Sequence, residues 1–191
     1  MISCMARAQD SGLGIKAGVV ASRTKSGNSL TSAVPGAAAG IYLPLRAGPR
    51  MELQPELLIT SMGANYPLQE GARGSLRTIY ISLPVSFKMY IGNVFNMQAG
   101  FQMQRLLAAQ QHGPDGTATV TDSYAHWDYG VQLGLGADMA RGLDLGLRCY
   151  AGLSPIETAG ALISARNQAL MLSLGYRVIR LRAPKATRRQ R

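Results

Sequence analysis

Long apolar runs are absent from this 191-residue sequence, and none approaches the roughly 18 residues that a membrane-spanning helix requires. A helical membrane span is therefore excluded within these residues, although 47% of them are hydrophobic. Charge is also scarce, since 16% of the residues are charged, against roughly 25% in a typical soluble domain. This deficit favours a chain with little wall exposed to water.

Cysteine is nearly absent too, because only Cys4 and Cys149 occur. Cys4 lies in an N-terminal leader region and Cys149 in a predicted strand, so no structural disulfide is expected. The sequence contains no metal-ligand spacing, and we expect neither a metal nor another cofactor. Sustained 3.6-residue periodicity is missing as well, which predicts minimal helix.

Negative charge is scarce relative to positive charge, and the net charge is +10. Basic residues crowd the last fifteen positions, namely Arg177, Arg180, Arg182, Lys185, Arg188, Arg189 and Arg191. Elsewhere there is no basic helix and no interleaving of basic with aromatic residues, so we expect no nucleic-acid binding. We interpret residues 181–191 as a basic tail that is solvated or contacts lipid head groups.

Alternation of apolar and polar residues is what the sequence does contain. Between Ile79 and Ile91 one set of alternate residues is wholly apolar, whereas the other holds serine, lysine, tyrosine and one proline. Successive residues of a strand point to opposite faces, so this pattern predicts a strand with one apolar face. The same pattern recurs in segments that begin near Ile15, Ala37, Met51, Phe95, Tyr129, Leu143 and Ala169.

The connections between these segments alternate in length. Short joins lie at Ala47–Arg50, Gly92–Asn93 and Ala140–Gly142, whereas long ones lie near Arg23–Ala33, Tyr66–Arg77, Gln110–His126 and Ser154–Ala165. This order predicts an all-β fold, an eight-stranded antiparallel up-and-down transmembrane β-barrel with short turns on one side. Pro44, Pro55 and Pro84 fall inside predicted strands, where we expect bulges or strand ends.

The second set of faces carries glycine, glutamine, serine and isolated charges, which suits a narrow polar lumen. An eight-stranded barrel is just wide enough for such side chains to fill it, so no open pore is expected. The predicted lumen network comprises Lys16, Glu52, Glu56, Lys88, Gln102, Gln132, Asp138, Asp144 and Arg148. Within it, Glu56, Lys88 and Arg148 are hypothesised to form a structural ion-pair network; a gated conduction path is the alternative.

Four aromatic residues cluster near the predicted outer ends of strands, namely Tyr66, Tyr124, Trp127 and Tyr129. Aromatic girdles at the membrane interface account for them, and carbohydrate stacking is the alternative. His112 and His126 lie in or beside the longest loop, but no nucleophile motif surrounds them. We therefore predict no catalytic residue and no enzymatic activity.

Several segments of the chain resemble segments of one known family and follow one another in the same order as in that family. They include LGIKAGVV (Leu13–Val20), MELQPELLITSMG (Met51–Gly63), YISLPVSFKMY (Tyr80–Tyr90) and the final LSLGYR (Leu172–Arg177). These segments are similar to the PorT-like outer membrane protein β-barrel family, often labelled "porin family". The resemblance implies an integral protein of the outer membrane of a Gram-negative bacterium. One relative takes part in protein secretion, and most members have no assigned role.

The chain divides into three parts on these grounds. Ala6-Arg7-Ala8 before Gln9 has the small-x-small form of a signal-peptidase site, and residues 1–9 are interpreted as a signal-peptide remnant. Residues 10–180 would form the barrel, and residues 181–191 the basic tail.

Three functions are compatible with these observations. The first is a small monomeric outer membrane barrel without catalysis. Its role would be structural or partner-binding, which includes an accessory role in secretion or envelope assembly. Its partners would be outer membrane lipid and envelope or secretion-system proteins. A narrow porin-like channel for ions or small solutes is the first alternative, and a soluble lipocalin-like ligand-binding barrel is the second.

Overall fold

A computed structural model describes residues 11–26, 29–30, 32–67, 73–113, 116–121, 124–155 and 165–181. The predicted signal-peptide remnant and almost all of the predicted basic tail lie outside these ranges. Eleven strands are present: β1 Ser11–Ser26, β2 Ser29–Leu30, β3 Ser32–Tyr42, β4 Leu45–Gly48, β5 Met51–Pro67, β6 Arg73–Ile91, β7 Phe95–Gly113, β8 Gly116–Thr119, β9 Trp127–Asp138, β10 Leu143–Gly152 and β11 Ala165–Leu181. No helix among the described residues is long and apolar enough to cross a membrane.

Eight strands close into a ring in the order β1-β3-β5-β6-β7-β9-β10-β11, and all neighbouring pairs are antiparallel. β11 returns to β1, with pairing from Ser11↔Leu181 to Ser26↔Ala165. β4 continues the line of β3 along β5, while β2 and β8 are short additions to β1 and β7. The predicted eight-stranded up-and-down barrel is confirmed.

The three predicted short joins lie at one end of the barrel, which we call the short-turn end. All three contain glycine, and in two of them its backbone is left-handed, since Gly92 has φ +73° and Gly142 has φ 93°. Between Ala140 and Gly142 the chain forms a 3-10 turn in which Arg141 also has a left-handed φ of 74°. The opposite end of the barrel carries the longer connections, and we call it the long-loop end.

The predicted long loops prove shorter, because the strands run further than the apolar alternation. β1 continues to Ser26, β5 to Pro67 and β7 to Gly113. Strand pairing continues there, for example between Lys25 and Arg166. Backbone groups pair regardless of side-chain polarity, so a strand extends past the segment whose apolar alternation identifies it.

The strand prolines sit at interruptions of the ladder, as expected of residues that lack an N–H. Pro44 lies in the gap between β3 and β4. Between β5 and β6 the pairing stops after Pro55↔Val85 and resumes at Leu58↔Ser82, which leaves Pro84 without a partner on β5.

The outer wall is apolar on every wall strand, and its exposed side chains include Val19, Ile41, Ile59, Phe87, Phe101, Leu133, Leu147 and Leu172. The lumen, by contrast, is filled by two different layers. Towards the short-turn end the buried side chains are mostly polar or charged, as predicted. Towards the long-loop end they form an apolar core of Val20, Ala38, Leu58, Met62, Leu76, Tyr80, Leu106, Ala109 and Met171. The sequence predicts a polar lumen, and this apolar second layer is not part of that prediction.

Candidate functional site

Glu56 is the centre of the first cluster of lumen charges. Lys16 Nζ donates to Glu56 Oε1 at 2.8 Å, and Arg148 donates from Nη2 to Oε1 at 2.6 Å and from Nη1 to Oε2 at 3.0 Å. Gln54 Nε2 adds a hydrogen bond to Oε1 at 2.6 Å. All these side chains are buried. Buried ions are tolerated only when they are paired and hydrogen-bonded, and Glu56 meets both conditions.

This cluster crosses the barrel instead of running along its wall. Glu56 lies on β5, whereas Arg148 lies on β10, four places away in the ring of eight. Lys16 approaches from β1 and also places Nζ 4.9 Å from the centroid of the Tyr42 ring. The side chains of Glu56 and Arg148 therefore span the lumen from opposite walls and obstruct it.

Lys88 is the centre of a second cluster, nearer the short-turn end. Its Nζ lies 2.7 Å from Asp144 Oδ2, 3.4 Å from Asp138 Oδ1 and 3.9 Å from Glu52 Oε1. Arg177 reaches the same carboxylates from β11, with Nη2 3.3 Å from Glu52 and 3.4 Å from Asp138. Two cations thus face three carboxylates in a buried site.

Neutral hydrogen-bond donors complete the second cluster around Asp138. Tyr90 Oη donates to Asp138 Oδ2 at 2.7 Å, and Asn96 Nδ2 donates to Oδ1 at 2.9 Å. Gln98 Nε2 in turn donates to Asn96 Oδ1 at 2.9 Å. These donors stabilise the carboxylate that the two cations do not fully neutralise.

Asp128 is the centre of a third polar cluster, close to the apolar core. Its Oδ2 accepts hydrogen bonds from Gln104 Nε2 at 2.8 Å and Asn167 Nδ2 at 2.9 Å. Ser154 Oγ donates to its Oδ1 at 3.0 Å, and Gln102 Nε2 donates to Gln104 Oε1 at 2.9 Å. No charged side chain is among these partners, so amides and a hydroxyl hold this buried carboxylate.

The structure therefore places all nine predicted network residues inside the barrel but groups them differently. Glu56 and Arg148 pair as hypothesised, whereas Lys88 belongs with Glu52, Asp138 and Asp144. The hypothesised triad is corrected because Lys88 lies nearer the short-turn end than Glu56, and its three carboxylates surround it there. Gln132 bonds to the hydroxyl of Ser86 instead of an ion, at 2.9 Å.

Two charged lumen residues, Asp128 and Arg177, are not part of the predicted network. Both lie on the polar set of alternate positions in their strands, so their inward orientation could be read from the sequence. Arg177 is one of the basic residues that crowd the last fifteen positions, yet it belongs to the last strand and its side chain is 93% covered within the barrel. For Arg177, its place in the alternation of the last strand is a better guide to its location than the basic residues that follow it.

The predicted interface aromatics divide into different environments. Trp127 and Tyr129 lie exposed on the wall with stacked rings 6.5 Å apart, and Arg105 places its guanidinium 5.7 Å from the Trp127 ring. Tyr124 is different from the prediction, because it packs against the apolar core. The side chain of Tyr66 lies outside what the structure describes.

What this lumen can do chemically follows from its contents. Its cations and carboxylates are bound to one another, and across the described ranges no group of three His, Cys, Asp or Glu side chains is placed to hold a metal ion. Glycines make room for the larger side chains: a Cβ on Gly14 would collide with the Tyr42 ring, and one on Gly130 with the Tyr150 ring. The interior is therefore packed, as in a protein core.

A family model described as "Outer membrane protein beta-barrel domain" matches residues 7–157, about four-fifths of the chain. No protein of curated function is significantly similar to the chain in sequence.

Two solved structures have the same fold. Ail, the attachment invasion locus protein of Yersinia pestis, aligns with a TM-score of 0.53 and 13% identity, over 88% of this chain and 99% of its own. Neisserial surface protein A aligns with a TM-score of 0.58 and 12% identity, over 87% of this chain and 97% of its own. Ail has also been solved with the heparin analogue sucrose octasulfate.

Proposed function

Because the chain belongs to the family of outer membrane protein β-barrel domains, we propose that it is a non-conducting membrane scaffold with a structural or partner-interaction role. The protein is integral to the outer membrane, with its apolar wall in contact with lipid. That wall also rules out the soluble lipocalin-like alternative, since soluble proteins rarely expose a continuous apolar surface of this extent.

The observation that carries the proposal is the ion-pair bridge across the lumen. Glu56 and Arg148 extend from opposite walls and meet through two hydrogen bonds at 2.6 and 3.0 Å. The Lys88 cluster lies between this bridge and the short-turn end, and the apolar core lies between the bridge and the long-loop end. A hydrated ion would have to separate a buried ion pair to pass, and breaking such a pair costs about 3–5 kcal/mol.

A barrel whose lumen is obstructed in this way can interact with other molecules only through its outer surface and its two ends. In outer membrane barrels the short turns face the periplasm and the longer connections face outward. The long-loop end is thus the surface available to other molecules at the cell exterior. Ail and Neisserial surface protein A carry names that refer to attachment and to the cell surface. An interaction role at the long-loop end agrees with these likenesses.

The finer assignments made from the sequence belong to the same proposal. They are the PorT-like branch of the family, a role accessory to secretion or envelope assembly, a monomeric state and a removed signal peptide. Envelope or secretion-system proteins would then be the partners, and no step of the proposed role requires catalysis.

A narrow channel for ions or small solutes is the second candidate. Several buried polar atoms in the lumen have no hydrogen-bond partner within the described ranges, among them Glu52 Oε1 and Asp144 Oδ1. Such atoms are normally satisfied by enclosed water. A continuous file of water would be needed for conduction, and the Glu56–Arg148 bridge stands in its path.

Single-channel recording in planar bilayers separates the two candidates. We expect no discrete conductance steps from the wild-type protein, once a heat-modifiable gel band has shown that the barrel is folded. The matched variant Glu56→Ala with Arg148→Ala removes both sides of the bridge and is expected to conduct, if it folds. Regular unitary currents from the wild-type protein would overturn the scaffold proposal and establish the channel.

A further inference from the structure

Charge is sorted between the inside and the outside of this barrel. All five described carboxylates are buried in the lumen: Glu52, Glu56, Asp128, Asp138 and Asp144. The exposed ions of the described ranges are all basic, namely Arg23, Lys25, Arg46, Arg50, Arg77, Arg105, Arg141 and Arg166. The outer surface of the described wall therefore has cations without carboxylates to pair with them.

Three of these cations crowd together at the long-loop end of β1 and β11. Lys25 stands directly opposite Arg166 in the ladder, and Arg23 stands opposite Gln168. All three point outward on the same face. Directly opposite side chains have Cβ atoms about 5 Å apart and diagonal ones about 7–8 Å, and like charges at these distances destabilise a sheet. We call these three residues the outer basic patch.

One of the three is already oriented along the wall. Arg23 Nε donates to Gln168 Oε1 at 3.0 Å. This bond fixes the guanidinium against β11 and leaves Nη1 and Nη2 to offer further hydrogen bonds. Arginine in such an orientation binds phosphate oxygens in pairs.

A groove opens in the lipid-facing wall beside the outer basic patch. It has a volume of about 520 Å³ and reaches from β9 to β3 across the barrel closure. Arg23 and Gln168 are part of its lining, and the remaining surface is mostly small or aliphatic, including Ala21, Ala33, Val131, Cys149, Ala151 and Leu170. The small side chains of this lining leave apolar space between the larger ones, and apolar space of this kind suits an acyl chain.

We propose that this groove and the outer basic patch together bind a phosphate-bearing lipid of the outer leaflet. Its acyl chain would lie in the groove, and its phosphate would lie among Arg23, Lys25 and Arg166. A phosphate there relieves the repulsion between Lys25 and Arg166. A lipid fits better than a soluble polyanion, because the groove is apolar and continues the lipid-facing wall.

Native mass spectrometry of the folded protein in detergent, titrated with bisphosphorylated lipid A, tests the proposal. We expect one lipid to remain bound to the wild-type protein. The double variant Arg23→Gln with Arg166→Gln is expected to weaken this binding on the order of tenfold or more, because it removes two charge-assisted contacts. The matched control Arg77→Gln with Arg105→Gln removes two charges from the far wall and is expected to weaken it less than about threefold.

A second pair of measurements distinguishes a lipid from a soluble anion. Filling the groove with Ala21→Leu and Ala151→Leu leaves all charges in place and is expected to weaken lipid A binding without changing binding of sucrose octasulfate. Equal losses in the two arginine double variants would show only unspecific attraction and overturn the site. Unchanged lipid A binding in the groove variant would overturn the acyl-chain assignment. These binding measurements do not depend on whether the barrel conducts ions. The lipid-binding proposal and the scaffold proposal can therefore be refuted independently of each other.

Discussion

Replacing Glu56 with glutamine removes the charge at the centre of the lumen and changes almost nothing else. Glutamine has the shape of glutamate, so no cavity forms. Lys16 and Arg148 would keep their positions, 2% and 6% exposed, without the carboxylate that both now contact. Leaving a buried ion without its partner costs about 3–5 kcal/mol, and the free energy of unfolding should fall by that amount.

Urea unfolding in detergent micelles measures this loss. Trp127 is the only tryptophan of the chain and lies exposed on the apolar wall, so its fluorescence reports when the wall leaves the micelle. With a urea dependence of about 1–3 kcal/mol per molar, the midpoint for Glu56→Gln should fall by at least about 1 M. Arg46→Gln changes an exposed cation and should leave the free energy of unfolding within about 0.5 kcal/mol of wild type.

A double-mutant cycle tests whether the loss comes from the bridge itself. Arg148→Met should be destabilising alone, because Glu56 then keeps only Lys16 as a cationic partner. The combination with Glu56→Gln should cost less than the sum of the two single changes, by about 0.5–3 kcal/mol. A Glu56→Gln protein within 1 kcal/mol of wild type, or strictly additive changes, would refute the view that the bridge stabilises the barrel.

The remaining predictions concern the second cluster and a tight contact between β1 and β3. Lys88→Glu would place a fourth carboxylate among three and should yield no heat-modifiable folded band on a gel. Its control, Arg50→Glu at the exposed turn, should fold normally. A folded Lys88→Glu barrel of wild-type thermal stability would contradict the ion pairing. Gly14→Ala should cost about 1–3 kcal/mol in the same urea assay because its Cβ would overlap the Tyr42 ring. Gly48→Ala is its control, since a Cβ there has its nearest neighbour at 3.6 Å; equal stability of the two alanine variants would show that the barrel absorbs the overlap.

The wall of the barrel could be predicted from the sequence because one rule controls it. Strand side chains alternate, and the wall meets lipid on one side and a crowded lumen on the other. The residues Ile79 to Ile91 follow this rule, and the structure exposes their apolar set except for the half-buried Ile81. Alternation also assigns Lys16, Glu56 and Arg148 to the lumen, where the structure has them buried.

The contacts between lumen side chains could not be predicted from the sequence. Alternation shows whether a side chain points into the lumen, but it does not show the position of that side chain along the barrel axis. Lys88 and Glu56 are both inward, yet the tilt and stagger of the strands bring Lys88 to Asp144 and Glu56 to Arg148. A bulge between β6 and β7 shifts the alternation after Leu106, so Ala109 turns inward where simple counting places it outside. The apolar core could not be predicted for two reasons: Met62, Leu76 and Ala109 lie outside the segments with clear alternation, and Tyr80 and Met171 share their inward set with polar residues.

The bridge across the lumen also bears on the order of assembly. Glu56 and Arg148 are 92 residues apart, and Glu52 and Arg177 are 125 apart, so no hairpin can contain either contact. In a sheet that has not yet closed, these side chains lie at a distance from each other and remain hydrated. They lose water only when β11 reaches β1. Contacts of such long range are costly to form early, and we infer that they stabilise the closed ring without speeding the steps before it. Removing the bridge should then accelerate opening of the barrel more than it slows closure.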